Sequence, residues 1–167
     1  MEATVNGIRM GRVIAGGLVA GLIVNIGETI LNVPLLGAQM EQALQARNLP
    51  PVGGGAIAYF VVMCFLLGIA IVWTYAAVRP RLGPGPKTAV IIGVLAWFMT
   101  LFWSGGTQVV MGVMPLNLTL LGLAWGLGEI LIASLAGAKP YRDCTRQLPT
   151  SNSQIVLRTS WKLEVGS

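Results

Sequence analysis

Asn25-Ile26-Gly27-Glu28-Thr29-Ile30-Leu31-Asn32 lies inside the first long apolar segment of the chain and carries one carboxyl group and two side-chain amides. A shorter version, Gly126-Leu127-Gly128-Glu129-Ile130-Leu131, lies inside the last apolar segment. Glu28 and Glu129 are the only acidic residues in segments that could span a bilayer. Because an ionisable group is costly to place in lipid, we expect both glutamates to face protein or to serve a function.

The composition indicates a membrane protein. Of the 167 residues 54% are hydrophobic and 10% are charged, and the mean hydropathy is +0.74. Soluble domains carry about 25% charged residues, so the balance predicts an all-α, multi-pass membrane protein. The net charge of +5 comes from short basic clusters between apolar runs, without interleaved aromatic residues. This pattern is typical of topology signals and argues against a nucleic-acid partner.

The residue types needed for most catalysis and metal binding are missing. Histidine, the commonest metal ligand and general base, is absent. Cys64 and Cys144 stand alone, without metal-ligand spacing, and Cys64 is expected to act as a small core hydrophobe. No nucleophile has a base beside it, and the only acids in the membrane are the two glutamates. We therefore predict no enzyme activity, no cofactor and no metal.

The apolar runs predict four transmembrane helices in an antiparallel bundle. Their expected ranges are about 12–33, 56–78, 88–108 and 116–138. Pro34 should end the first helix near Asn32 or Val33, because a proline disfavours helical geometry in the preceding residue. Residues 139–167 form a polar, basic tail, which we expect to be flexible.

Two connections leave alternatives open. Residues 38–47 contain good helix formers and could form a short helix on the membrane surface or a solvated turn. The polar stretch 104–108 interrupts the third apolar run. It could precede a short re-entrant piece, but we favour a single tilted helix with glycines on a packed face.

The distribution of basic residues predicts the orientation. With the amino terminus inside, eight cations of the inside segments lie close to the apolar runs: Arg9, Arg12, Arg79, Arg81, Lys87, Lys139, Arg142 and Arg146. The outside connections contain only Arg47. By the positive-inside rule both termini should face the cytoplasm.

Both glutamates share a helix face with small residues, since residues three and four apart lie on one side of a helix. The first stripe is Gly17, Gly21, Asn25, Glu28 and Asn32, and the second contains Gly122, Gly126 and Glu129. Both contain a G-x-x-x-G pair, which allows close helix approach in lipid. We therefore predict that the four glycines pack helices and that the stripes face protein, which could be each other. The polar groups Glu28, Glu129, Asn25 and Asn32 are the candidate proton-relay residues.

Depth argues against an easy contact between the two carboxyl groups. At about 1.5 Å per residue, Glu28 lies about 24 Å from Arg12, while Glu129 lies about 15 Å from Lys139. The resulting offset of about 9 Å requires tilted helices or a deeply placed Arg12. No cation lies at this depth, so desolvation favours the protonated, hydrogen-bonding form of each acid. Expected partners include the indole N–H of Trp97 or Trp125.

The sequence favours a structural or interaction subunit of a membrane assembly, in which neutral carboxyl groups hydrogen-bond across helices. The alternative is a small proton-coupled carrier or channel that uses Glu28 and Glu129. The lipid bilayer is the expected partner, with a homo-oligomer or a larger complex open. The turn Pro34-Leu35-Leu36-Gly37 and the four apolar runs resemble small four-helix proteins of the bacterial inner membrane. This resemblance covers about residues 12–140 and implies a location but no activity.

Overall fold

The computed structural model describes residues 8–142, and within them every long element is helical. The elements are α1 (Met10–Ile30) with a π-helical turn at Leu31–Leu35, α2 (Gly37–Gln45), α3 (Gly54–Leu82), α4 (Pro86–Trp97), a second π-helical turn at Phe98–Phe102, α5 (Trp103–Val110) and α6 (Leu116–Arg142). The predicted flexible tail falls almost wholly outside the described residues.

Four helices are long and apolar enough to cross a membrane, which confirms that part of the prediction. These spans are Met10–Leu35, Gly54–Leu82, Pro86–Val110 and Leu116–Tyr141. Each has 25 to 29 residues, whereas about 20 are enough to cross the hydrocarbon core. The third span is continuous, because α4, the π-helical turn and α5 follow one another without a break.

Two helices run further than the apolar runs suggest. Helix α3 continues through Pro80, and α6 continues through Pro140 to Arg142. Proline in a last turn removes few helical hydrogen bonds, and packing at this end offsets the loss. Tyr141 is 6% exposed and meets the ring of Tyr75 edge-on, with centroids 6.4 Å apart. The aromatic pair therefore holds the end of α6 against α3.

Helix α1 packs against α3 through its glycines. A Cβ atom on Gly17 would lie 2.5 Å from the Cα of Ile69, and one on Gly21 would lie 2.7 Å from the Cα of Phe65. On the other helix, a Cβ on Gly68 would overlap the backbone of Gly17 and Gly21. The two backbones thus approach as closely as glycine allows, which is how small residues associate helices in lipid.

A neighbouring face of α1 packs against α6. A Cβ on Gly137 would lie 2.9 Å from the carbonyl oxygen of Gly16 and 3.0 Å from the Cβ of Ala20. The contacts of α1 therefore divide between two partners, with Gly17 and Gly21 towards α3 and Gly16 and Ala20 towards α6. Helix α4 packs on the far side of α6, where Gly93 adjoins Ser134.

The packing is dense at one end of the molecule and sparse at the other. The buried core residues Val13, Val72, Tyr75, Ala89, Ala133, Ala138 and Tyr141 gather where α1 begins and α6 ends. We call this the closed end, and we call the opposite end, which carries α2 and the α5–α6 turn, the open end. At the open end residues 51–63 are exposed, and a Cβ on Gly54 or Gly55 would meet nothing within 4 Å.

Candidate functional site

Glu129 is the most deeply buried acid among the described residues. Its side chain is 8% exposed and lies between α6 and α1. The indole N–H of Trp125, one of the expected partners, donates a hydrogen bond of 3.0 Å to its Oε2. The donor lies one turn earlier on the same helix, so this bond orients the carboxyl group without joining two helices.

Gly27 forms the notch that receives this carboxyl group. A Cβ at residue 27 would lie 2.5 Å from the Cδ and 2.9 Å from the Cγ of Glu129, and it would overlap Oε2. Only glycine leaves this space open. Gly27 was not among the predicted packing residues, although it continues the face of Gly16, Ala20 and Val24 at helical spacing. The small residues on this face could have identified it as a second packed face of α1.

Glu28, the next residue, is half-buried on α1. The side-chain amide of Asn32 donates to Glu28 Oε2 over 2.7 Å and to the Glu28 carbonyl oxygen over 2.9 Å. Gly27, which receives the Glu129 carboxyl group, is the residue before Glu28, so the two predicted acids lie on adjoining segments of α1 and α6.

The register of α1 and α6 explains this convergence. Gly16 lies opposite Gly137, so the Cα atoms of Glu28 and Glu129 are offset by four residues, or about 6 Å along the helices. Helical side chains lean towards the amino terminus of their own helix. Because the two helices run in opposite directions, the side chain of Glu129 leans towards the open end and that of Glu28 leans away from it. The offset of about 9 Å from sequence was therefore too large.

Asn25 contacts α3 instead of the carboxyl groups. Its side-chain amide donates to the carbonyl oxygen of Gly21 over 2.9 Å and to that of Val61 over 3.4 Å. Asn32 is exposed and bonds only within α1 among the hydrogen bonds described. Asn25 thus links α1 to α3, whereas Asn32 hydrogen-bonds to the carboxyl group of Glu28.

The glycines predicted to pack helices fall into two groups. Gly17 and Gly21 face α3, and Gly126 adjoins the side chain of Leu101 in the third span. The glycine stripes of α1 and α6 therefore do not face each other. Gly122 corrects the prediction, because a Cβ there would meet nothing within 4 Å. Helix α6 turns this residue away from its described neighbours, so only Gly126 of the G-x-x-x-G pair packs against another helix within residues 8–142.

The described part of the candidate site contains neither a cluster of metal ligands nor a cation from its own helices. Among residues 8–142 no group of three or more His, Cys, Asp and Glu side chains could hold one. The sequence has no Lys or Arg between Arg12 and Arg47 or between Lys87 and Lys139, so no cation of these helices reaches this depth.

Comparison of the chain with models of protein families, with curated proteins and with solved structures gave no match. No activity is therefore transferred to this chain from a relative. Its function has to follow from the geometry of its own residues, above all from the Glu28–Glu129 pair.

Proposed function

We propose that this is an antiparallel four-helix bundle of the bacterial inner membrane with both termini in the cytoplasm. Four apolar spans support the membrane location, and the close approaches of α1 to α3 and α6 support the bundle. The eight cations of the inside segments would place the closed end at the cytoplasmic surface. The open end, with Arg47, would then face outwards.

The orientation predicts the side from which Cys144 can be labelled. In a Cys64→Ala variant, a membrane-impermeant maleimide should modify Cys144 in inverted vesicles and not in right-side-out vesicles. The basic segments must stay inside for this result, since cytoplasmic loops retain Lys and Arg. Modification from the outside alone would reverse the assigned topology.

The bundle acts as a small proton-coupled carrier or channel that uses Glu28 and Glu129. One observation carries this proposal: the two acids lie on adjoining segments of α1 and α6, yet each makes its described side-chain hydrogen bond within its own helix. A purely structural carboxyl group would be expected to hydrogen-bond across helices and fix their packing. In this chain close glycine contacts hold α1 to α3 and α6, which leaves the carboxyl groups available to exchange protons.

The sparse packing of the open end supports a path to the pair. Val24 and Leu31 on α1 are buried, while residues 51–63 of the neighbouring α3 segment are exposed. The closed end has no such opening, because Val13, Val72 and Ala133 are fully buried there. Protons would therefore reach Glu28 and Glu129 from the open end, and passage through the closed end would be the limiting step.

Proton flux through the purified protein tests this function. Liposomes containing the protein and a pH-sensitive dye should show a flux that protein-free liposomes lack, and Glu129→Gln or Glu28→Gln should reduce it at least about tenfold, as loss of a proton-transfer group does. Glutamine keeps an acceptor for Trp125 but cannot carry the proton. Glu41→Gln is the matched control, because Glu41 lies exposed on α2 outside the spans.

An interaction subunit is the second candidate, and the exposed open end of α3 favours it. Residues 54–63 are exposed and would pack against a helix of a partner protein without rearrangement, because Gly54 and Gly55 have no close neighbour among the described residues. The flux experiment separates the two candidates. Equal flux in wild type and both glutamine variants, or no flux under any gradient, contradicts the carrier. Recovery of a stable partner in mild detergent would then support the subunit.

A further inference from the structure

The third span divides into a firmly packed half and a loosely packed half. In α4, Thr88, Ala89, Ile92 and Gly93 are buried, whereas neither the π-helical turn nor α5 contains a buried residue. Trp103 is 71% exposed and Val110 is 88% exposed. Segments with few buried contacts open at low free energy, so α5 is the part of this span best able to move.

The boundary between the two halves is built as a pivot. On its closed side, the indole N–H of Trp97 donates 2.9 Å to the carbonyl oxygen of Leu123 and holds α4 to α6. The π-helical turn Phe98–Phe102 follows at once. The hydroxyl groups of Thr100 and Ser104 bond back to carbonyl oxygens one turn earlier, an arrangement that often bends helices.

The pivot lies near the depth of the carboxyl pair. Leu101, within the π-helical turn, adjoins Gly126 on α6, and Gly126 is three residues from Glu129. Beyond this contact α5 touches α6 at Gly105, where a Cβ would lie 3.1 Å from Thr119 Cγ2. Movement of α5 about the π-helical turn would therefore uncover α6 from Thr119 to the turn before Gly126, which lies three residues from Glu129.

The side chain of Arg47 ties the far end of α5 to α2. The guanidinium of Arg47 donates two hydrogen bonds, of 2.8 Å and 3.3 Å, to the carbonyl oxygen of Gly112. It also donates 2.9 Å to the carbonyl oxygen of Ala43 in α2. Gly112 has φ +68° and belongs to the turn that ends α5. Arg47 thus connects α2, which follows α1, to the free end of α5.

We propose that α5 is a gate at the open end, which swings about the π-helical turn Phe98–Phe102 and is latched by Arg47 on the Gly112 carbonyl oxygen. The inference rests on the proposed carrier function for what the gate admits, namely protons on their way to Glu28 and Glu129. The latch restricts the motion of α5, and that motion can be measured without measuring proton flux.

Hydrogen–deuterium exchange in lipid nanodiscs tests the gate. Backbone amides of α5 should exchange faster than those of α4, and Arg47→Ala should accelerate exchange in α5 about tenfold, the effect of losing roughly one net hydrogen bond. Exchange in α4 should not change. Arg81→Ala is the matched control, because Arg81 is an exposed arginine of the opposite end.

A reversible lock distinguishes opening of the gate from general unfolding. In a Cys64→Ala, Cys144→Ala background that also carries Arg47→Ala, the pair Gly105→Cys and Thr119→Cys should form a disulfide across α5 and α6. The disulfide should return α5 exchange to the wild-type rate, and reduction should release it. Unchanged exchange in Arg47→Ala, or equal acceleration of α4 and α5, overturns the proposal. A carrier without this gate would still show flux, so the two failures are distinguishable.

Discussion

Replacing Gly68 by alanine is expected to lower the free energy of unfolding by about 3 kcal/mol, the upper part of the usual range for overpacking. The added Cβ would overlap the Gly17 carbonyl oxygen and the Gly21 backbone nitrogen, and it would lie 2.8 Å from the Gly21 Cα. These are backbone atoms, which cannot rotate away as a side chain can. The only relief is to separate α1 from α3, and that separation removes a close backbone contact between two membrane spans.

Denaturant titration in detergent micelles measures this loss, with Gly128→Ala as the matched control. Gly128 is also a glycine within a long apolar helix, but it is exposed and a Cβ there would meet nothing within 4 Å. Its replacement should change the unfolding free energy by less than about 1 kcal/mol and should favour the helix slightly. Equal losses in the two variants would show that helix propensity, not the contact with α1, decides the outcome.

The four spans were predictable because they depend on local composition. About 20 apolar residues in a row leave few alternatives to a membrane-spanning helix, whatever the neighbours do. The ends were less predictable. Tyr141 extends α6 past Pro140 by packing on Tyr75, a residue that is distant in sequence. The π-helical turns at Leu31–Leu35 and Phe98–Phe102 were not predicted, although the first contains Pro34.

The helix faces were predictable, but their partners were not. The spacing of Gly17 and Gly21 identified a packed face of α1, yet the adjacent face with Gly16 and Ala20 is equally small. Since both faces permit close approach, the sequence could not say which one meets α6. The structure assigns Gly17 and Gly21 to α3 and leaves Gly27, on the other face, to receive Glu129.

The sequence left open whether the two acids meet, and the reason is geometric. On the sequence alone, Arg12 and Lys139 were taken to lie at the same depth. The contact between Gly16 and Gly137 sets a different register for α1 and α6. The estimate also measured along helix axes, although a glutamate side chain extends several ångströms in the direction of its own amino terminus. Both corrections bring Glu28 and Glu129 closer together.

Gly27→Ala is expected to lower the unfolding free energy by about 2 kcal/mol, because the methyl group needs the space that the Glu129 carboxyl group fills. The carboxyl group must leave its notch, which strains the Trp125 hydrogen bond or moves α1 away from α6. The same change in a Glu129→Ala background should have an effect within about 1 kcal/mol of zero, since alanine also favours the helix over glycine. A double-mutant cycle then gives a coupling of about 2 kcal/mol.

Trp125→Phe is the control that distinguishes two origins of this coupling: steric contact between residue 27 and Glu129, or the hydrogen bond from Trp125. That variant removes the indole donor but keeps the carboxyl group in the notch, so Gly27→Ala should still lower the unfolding free energy by about 2 kcal/mol in its presence. A loss that is the same in the Glu129→Ala background as in wild type would place the carboxyl group elsewhere in the folded protein. The pairing of Glu129 with the α1 backbone beside Glu28 would then be wrong, and with it the convergence on which the proton path depends.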